Sequence, residues 1–264
     1  MTLVSFHHLV KAYQSLQGAT YVAVQDFNLE IEAGEFFCLL GPSGCGKTTI
    51  LNMLAGFEVP SGGYIEMEGR PVIGPSRDRA VVFQGDDSLY AWLTALENIE
   101  FGLRMQGVSK SLRREQAMHY LALVGLNGQE NKHPGELSGG MKQRIQIARV
   151  LANEPKMLLL DEPFGALDAQ TRSLMQQELV KIWQATKKTA LFITHDIDEA
   201  ITLGTRIGVM LAGPGSRIKG VVDVRLDGAR DRTDDRFVAY YRQVHAMIRE
   251  EVAKASVPQQ REMP

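Results

Sequence analysis

An apolar run, Glu35–Leu40, leads directly into Gly41-Pro42-Ser43-Gly44-Cys45-Gly46-Lys47-Thr48, and the helix-forming run TTILNMLAG follows. Glycines at this spacing let backbone N–H groups curl round phosphate oxygens, and the start of a helix adds its positive dipole end. Lys47 is placed to reach the β- and γ-phosphates of a nucleoside triphosphate, and Thr48 to set its hydroxyl on Mg²⁺. A second run, Leu158-Leu159-Leu160-Asp161-Glu162, delivers two adjacent carboxylates to the end of an apolar strand. Ligands gather at that end in an open α/β sheet. Asp161 is the candidate to hold Mg²⁺ through water and Glu162 the candidate to polarise an attacking water. The strand–loop–helix context separates the first run from a chance glycine loop. Solvated strand-end acids are common, but here they occur in a chain that already has a phosphate loop.

Parallel strands have to position these groups. Thr2–Phe6 reads as a short strand, and Phe27, Leu29 and Ile31 alternate with polar residues as in a half-buried one. Further strands are expected at Tyr64–Met67, Arg79–Phe83, Lys156–Leu160, Thr189–Thr194, Arg206–Leu211 and Val221–Leu226. Near-continuous apolar strands alternating with helices indicate a parallel sheet covered on both faces. From Leu96 to Val124 the apolar spacing turns helical, with a break at Gly107 and Ser109. Ser138 stands as an N-cap before a helix through Ile145, Ala148 and Leu151. The tail opens with the charged stretch GARDRTDDR and closes with an amphipathic helix from Phe237 to about Ala253, ahead of VPQQREMP.

Leu137-Ser138-Gly139-Gly140-Met141-Lys142-Gln143-Arg144 decides among phosphate-loop proteins. Read from its residues, it is a second phosphate-binding helix start, with a hydroxyl from Ser138 and backbone N–H groups at Gly139 and Gly140. It closely resembles the LSGGQ signature of ABC ATPases, and the other elements of that family appear in order. Gln84 resembles the glutamine that touches Mg²⁺ and senses a membrane partner. Gly165-Ala166-Leu167-Asp168 resembles the D-loop, and His195 the histidine that contacts the γ-phosphate. Tyr13 resembles the aromatic that stacks on adenine, with Tyr21 as the alternative. The resemblance covers residues 2 to about 225.

It implies an α/β P-loop NTPase core with a mainly parallel sheet, an N-terminal antiparallel β portion and a helical signature subdomain. The nucleotide-binding domain would span 1–226, its helical subdomain about 86–154, and a helical tail 227–264. ATP and Mg²⁺ are the implied cofactors. ATP would contact Tyr13, the loop from Gly41 through Thr48, Thr49, and, across a head-to-tail dimer of two copies, Ser138, Gly139, Gly140 and Asp168. Thr48, Gln84 and Asp161 would hold the metal; Glu162, His195, Lys47 and Gln84 would act in hydrolysis. Two departures stand out: Met141 replaces the usual glutamine of the signature, and Ala91 replaces the proline before Trp92 on the surface that meets the permease.

The runs GPSRDRAVVFQ, LLLDEPFGALDAQTR, THDIDEA and GPGSRI resemble the ATPases of nitrate, sulfonate and taurine importers. That implies permease subunits, indirectly a periplasmic solute-binding protein, and a small anion as cargo. A net charge of −2 gives no general basic surface for nucleic acid or anionic lipid. No apolar run reaches the ~18–20 residues of a membrane span, and the N-terminus lacks a signal-peptide pattern. The expected location is therefore the cytoplasmic face of the inner membrane, held through the permease. The rival is a soluble ABC ATPase acting on nucleic acid or ribosomes. Such proteins carry coiled-coil insertions, zinc cysteines or two cassettes, and this chain has none of them. Cys45, beside Lys47 and a helix start, is expected to be a reactive thiol that Mg-ATP protects.

Overall fold

A computed structural model describes residues 1–15, 18–83, 88–165, 167–226 and 230–255, with side chains as far as residue 251. In chain order the elements are β1 (Thr2–Gln14), β2 (Thr20–Glu32), β3 (Phe36–Leu40), α1 (Lys47–Ala55), β4 (Gly62–Met67), β5 (Arg70–Pro71) and β6 (Arg79–Val82). They continue with α2 (Ala95–Met105), α3 (Lys110–Leu123), α4 (Gly139–Leu151), β7 (Met157–Asp161), α5 (Ala169–Thr186), β8 (Thr189–Thr194), α6 (Ile197–Leu203), β9 (Arg206–Met210), β10 (Ile218–Asp223) and α7 (Asp235–Ala255). Two compact units emerge, one made of Met1–Pro75 with Leu191–Pro264, the other of Ser76–Ala190.

In the first unit β1 runs well past the expected Phe6, because a bulge conceals its alternation. The β1–β2 register slips between Phe6 and Leu9, and His8 and Asp26 both adopt positive φ, 46° and 50°. The His8 ring nitrogen lies 2.8 Å from the Asp26 carboxylate, and the His8 N–H donates to Asn28 at 2.8 Å. One extra residue resets the side-chain period, so that both Phe6 and Leu9 are buried. The antiparallel sheet is ordered β2-β1-β4-β5. A second sheet runs β10-β9-β3-β8 in this unit, with β3 and β9 parallel and β10 antiparallel to β9. All of β3 is buried, as its unbroken apolar run requires. The last ladder strand begins and ends earlier than expected, at Ile218–Asp223. Beyond it the apolar side chains of Val224 and Leu226 stay buried although the ladder has ended, and their pattern is what imitated a strand.

In the second unit β6 and β7 pair in parallel, Val82 opposite Leu160. Around them stand α2–α5. Thr94 caps α2 in a reciprocal box with Glu97, and Gly107, at φ 76°, separates α2 from α3 where the sequence break lies. Ile99, Leu103, Ala117, Leu121, Ile145, Ala148 and Leu151 meet in the core, as their three- and four-residue spacing requires. The expected α/β class holds: mainly parallel strands, an N-terminal antiparallel sheet and a helical portion.

A buried polar side chain, Asn98, organises the loop ahead of α2. Its amide oxygen accepts from the Tyr90 N–H at 2.8 Å, and its amide nitrogen reaches the carbonyls of Tyr90, Leu93 and Thr94 at 3.0–3.2 Å. Asn98→Ala removes the acceptor of the Tyr90 N–H and the side-chain donor to the Leu93 carbonyl, while the Tyr90 and Thr94 carbonyls keep a backbone donor each. It should lower stability by about 2 kcal/mol, within the cost of orphaned buried groups, read from the urea midpoint. A change too small to measure would mean that the loop does not hang on this side chain.

Candidate functional site

The phosphate-loop candidate leaves the end of β3. Gly46 is the N-cap of α1 at φ 92°, and a Cβ there would stand 3.0 Å from Val24. Only glycine fits both the angle and the approach. The first turn of α1 carries no acidic residue, so the helix supplies no carboxylate of its own against the positive end of its dipole. Lys47 is buried, and its ammonium donates to the carbonyls of Gly41 at 2.8 Å and Pro42 at 3.0 Å. The cation is thus held against the loop's own backbone, ready for an anion. Ser43, Gly44 and Thr48 are exposed, Pro42, Gly46 and Thr49 half-buried, and Gly41 and Cys45 buried.

Tyr13 reaches this helix from β1. Its hydroxyl donates to Glu58 at 2.6 Å and lies 3.5 Å from the Thr49 hydroxyl, while Lys11 covers the ring 5.0 Å from its centroid. Burial, then the bond to Glu58, raises the phenol above its ordinary range. Tyr21 is its direct cross-strand partner, so the two aromatics the sequence left as alternatives stand side by side. His195, exposed, is the first residue after β8, the strand next to β3 in the sheet.

The second unit holds the acidic pair and the second helix start. Asp161 ends β7, half-buried, and Glu162 follows at φ 43°. A non-glycine residue in that region is strained, and such strain collects where a side chain must be aimed. The Glu162 carbonyl accepts the Gly165 N–H at 3.1 Å, which tightens the turn. Ser138 caps α4, its hydroxyl accepting the Met141 N–H at 3.3 Å. Only the backbone of Met141 enters this cap, so replacement of the usual glutamine leaves it intact. Asp168 caps α5 through one oxygen, which accepts from Gln170 and Thr171 at 3.0 Å each. Those bonds, the Thr171 N–H foremost, hold its carboxyl below the ordinary range. A Cβ on Gly140 would press within 3.1 Å of the Thr171 methyl, so this glycine lets α4 approach α5. Ser138, Gly139, Gly140 and Asp168 are thereby gathered at neighbouring helix starts.

Residues 24–165 match the pattern of the family described as ABC transporter. This chain belongs to the ABC transporter family. The cassette is 51% identical to the taurine import ATP-binding protein TauB of Yersinia pestis over 75% of its own length and 77% of that protein's. It is 46% identical to the nitrate import ATP-binding protein NrtD of Synechococcus elongatus over 80% and 78%. Among solved structures it resembles a dimeric ATP-binding cassette in a post-hydrolysis state bound to ADP and Pi, with TM-score 0.71 and 31% identity, covering 85% of this chain and all of that one. Its fold is accordingly that of the P-loop ABC ATPase cassettes.

Within the cassette, Gln84 lies outside the described residues, as does Ala166 of the D-loop run. Cys45 differs from expectation. Its thiol is fully buried, and a Cβ on Gly41 would come within 2.8 Å of its sulfur, so the side chain fills the hollow under the loop. Burial pushes the thiol up more strongly than the Lys47 charge lowers it, because an ion loses more by desolvation than this neighbour returns. Sequence reasoning also missed Arg149, which donates to the Ser88 carbonyl at 2.8 Å and lies over the Tyr90 ring. It props the loop that presents Trp92, 72% exposed. A basic residue late in an otherwise apolar helix face was its signal.

Cys45 should therefore react with a maleimide at pH 7 at least about tenfold more slowly in the folded cassette than after denaturation, its thiolate being scarce and enclosed. Timed labelling with peptide mapping tests this. Equal rates in the two states would restore the reactive thiol.

Proposed function

We propose that this cassette is the ATP-hydrolysing subunit of an importer for a small anion, of the class of sulfonates, taurine or nitrate. The observation that supports the reading is a pair of helix starts, α1 behind the buried Lys47 ammonium and α4 behind the Ser138 cap, each of a kind that receives phosphate. One helix start suffices to bind a nucleotide. A second fits a shared site, in which Ser138, Gly139 and Gly140 of one copy close over the loop of another. The dimeric solved cassette and the nitrate and taurine import relatives support this reading.

In this assignment the N–H groups between Gly41 and Thr49 and the Lys47 ammonium would receive the ATP phosphates, and Tyr13 the adenine. Lys47 would exchange its carbonyl partners for β- and γ-oxygens, a charge neutralisation that phosphoryl transfer requires. Mg²⁺ would be held by oxygen donors of the kind it takes, the Thr48 hydroxyl, exposed, and the Asp161 carboxylate, which ends its strand, with Gln84 as a further ligand. Few protein oxygens are what this ion takes when phosphates and water supply the rest. It would neutralise charge on the transferring group. Glu162 would orient and deprotonate the attacking water, and His195 would contact the γ-phosphate. Asp168, fixed as a cap, would position the D-loop rather than share its charge freely.

Closure of two copies would transmit work to permease subunits. The aromatic group of Tyr90, Trp92 and Phe101, with ring centroids 4.5–5.3 Å from Tyr90, offers the surface for that contact. The described residues contain no helix long and apolar enough to cross a membrane, so spanning segments would come from the permease. A periplasmic solute-binding protein would select the cargo, and the cassette would work at the cytoplasmic face of the inner membrane without nucleic acid.

Glu162→Gln should slow hydrolysis by about 100-fold or more, the usual range for loss of a general base. It should also double the solution mass on addition of Mg-ATP, measured by light scattering. A monomer with ATP demonstrably bound would count against the shared site in the cassette alone.

A further inference from the structure

The residues on either side of His195 are tied into α6. The Thr194 hydroxyl donates to the buried carboxylate of Glu199, and its oxygen accepts the Asp196 N–H at 3.0 Å. Asp196 in turn caps α6, accepting the Glu199 N–H at 3.1 Å. The backbone that carries the imidazole therefore goes where the first turn of α6 goes. Yet α6 has only seven residues and no basic residue in its last turn. A helix so short is not stable by itself, and its final carbonyls need donors from elsewhere.

The chain beyond β10 supplies them. Nη1 of Arg230, half-exposed, donates to the carbonyls of Ile201 at 2.8 Å and Gly204 at 2.6 Å. A cation at a helix C-terminus satisfies both the orphan carbonyls and the dipole. On the other side α6 ends hard against β3, since a Cβ on Gly204 would meet the Cys38 sulfur at 3.0 Å. Phe237 and Val244 of α7 are buried, which anchors the segment that carries the arginine.

We infer that Arg230 is a positioning residue for ATP hydrolysis, holding α6, and through it His195, against the strand that delivers the phosphate loop. The inference rests on the role proposed for His195. The C-terminal segment is then part of the hydrolytic machinery, and whatever pulls it from α6 would slow turnover without expelling nucleotide. Arg230 touches no reacting atom; it acts by keeping its dependent residue within the narrow tolerance that a positioned group requires.

The test uses the whole 264-residue chain and compares steady-state ATP hydrolysis of Arg230→Gln, Arg230→Lys and His195→Ala with the parent. Arg230→Gln should lower kcat about tenfold with KM for ATP unchanged, the pattern of a group that acts only in the chemical step. Arg230→Lys should recover most of the loss, because both bonds come from one nitrogen, which an ammonium can replace. The ring NMR signals of His195 should shift or broaden in Arg230→Gln, while those of His7 and His8 on β1 stay fixed and report an intact fold. A parental kcat in Arg230→Gln, beside a lowered one in His195→Ala, overturns the inference. A parental kcat in His195→Ala overturns instead the role on which it rests. If Arg230→Gln fails to fold, Arg230→Met, which keeps the side-chain length and loses both bonds, takes its place: a lowered kcat at unchanged KM with shifted His195 signals upholds the inference, and a parental kcat overturns it.

Discussion

A lysine ammonium enclosed by protein must be surrounded by oxygen atoms, and in this chain the carbonyls of Gly41 and Pro42 surround Lys47. Much of the first unit serves that arrangement. The loop can bend its carbonyls onto the cation only because Gly46 takes a positive φ beneath Val24. It stays in place because β3 is buried along its whole length. Cys45 fills the hollow under the bend, and burial keeps it a neutral thiol there. The site is thus a charge held by backbone dipoles, a state that an incoming phosphate can improve by replacing neutral oxygens with charged ones.

The second unit solves a different problem, how to present small groups without letting them wander. Helix caps do this work. Ser138 and Asp168 each spend an oxygen on their own helix, which fixes the start of α4 and of α5. Gly140 lets the two helices touch. Glu162 is aimed by backbone strain instead, through a left-handed residue in a tight turn. Each device is short-range and stiff. Under the proposed shared site such stiffness would help, because a loosely held group would have to be ordered at each closure.

At the periphery, polar side chains brace the segments beside the candidate site. Asn98 and Arg149 hold the loop that exposes Trp92. Arg230 holds the far end of α6. In both places a polar side chain supplies hydrogen-bond donors to backbone carbonyls, which apolar packing cannot do.

The local structure at the candidate residues was legible in sequence because each depends on its immediate neighbours. The run from Gly41 to Thr48, the acids closing an apolar strand, and the Ser138 cap are patterns of a few residues, set by local dihedrals and hydrogen bonds to the next turn. The family followed from them. Tertiary structure alone decided what depends on distant neighbours. The bulge at His8 and Asp26 extended β1 and could not be read from β1, since it answers to β2. Buried apolar residues past Asp223 looked like strand because burial and pairing end at different places. Cys45 sits beside a cation in sequence, but its desolvation comes from packing around the loop. The clamp of Arg230 spans 29 residues to Ile201. Hydrophobic period and turn chemistry are local codes; desolvation, register between strands and long-range donors are settled only when the chain closes on itself.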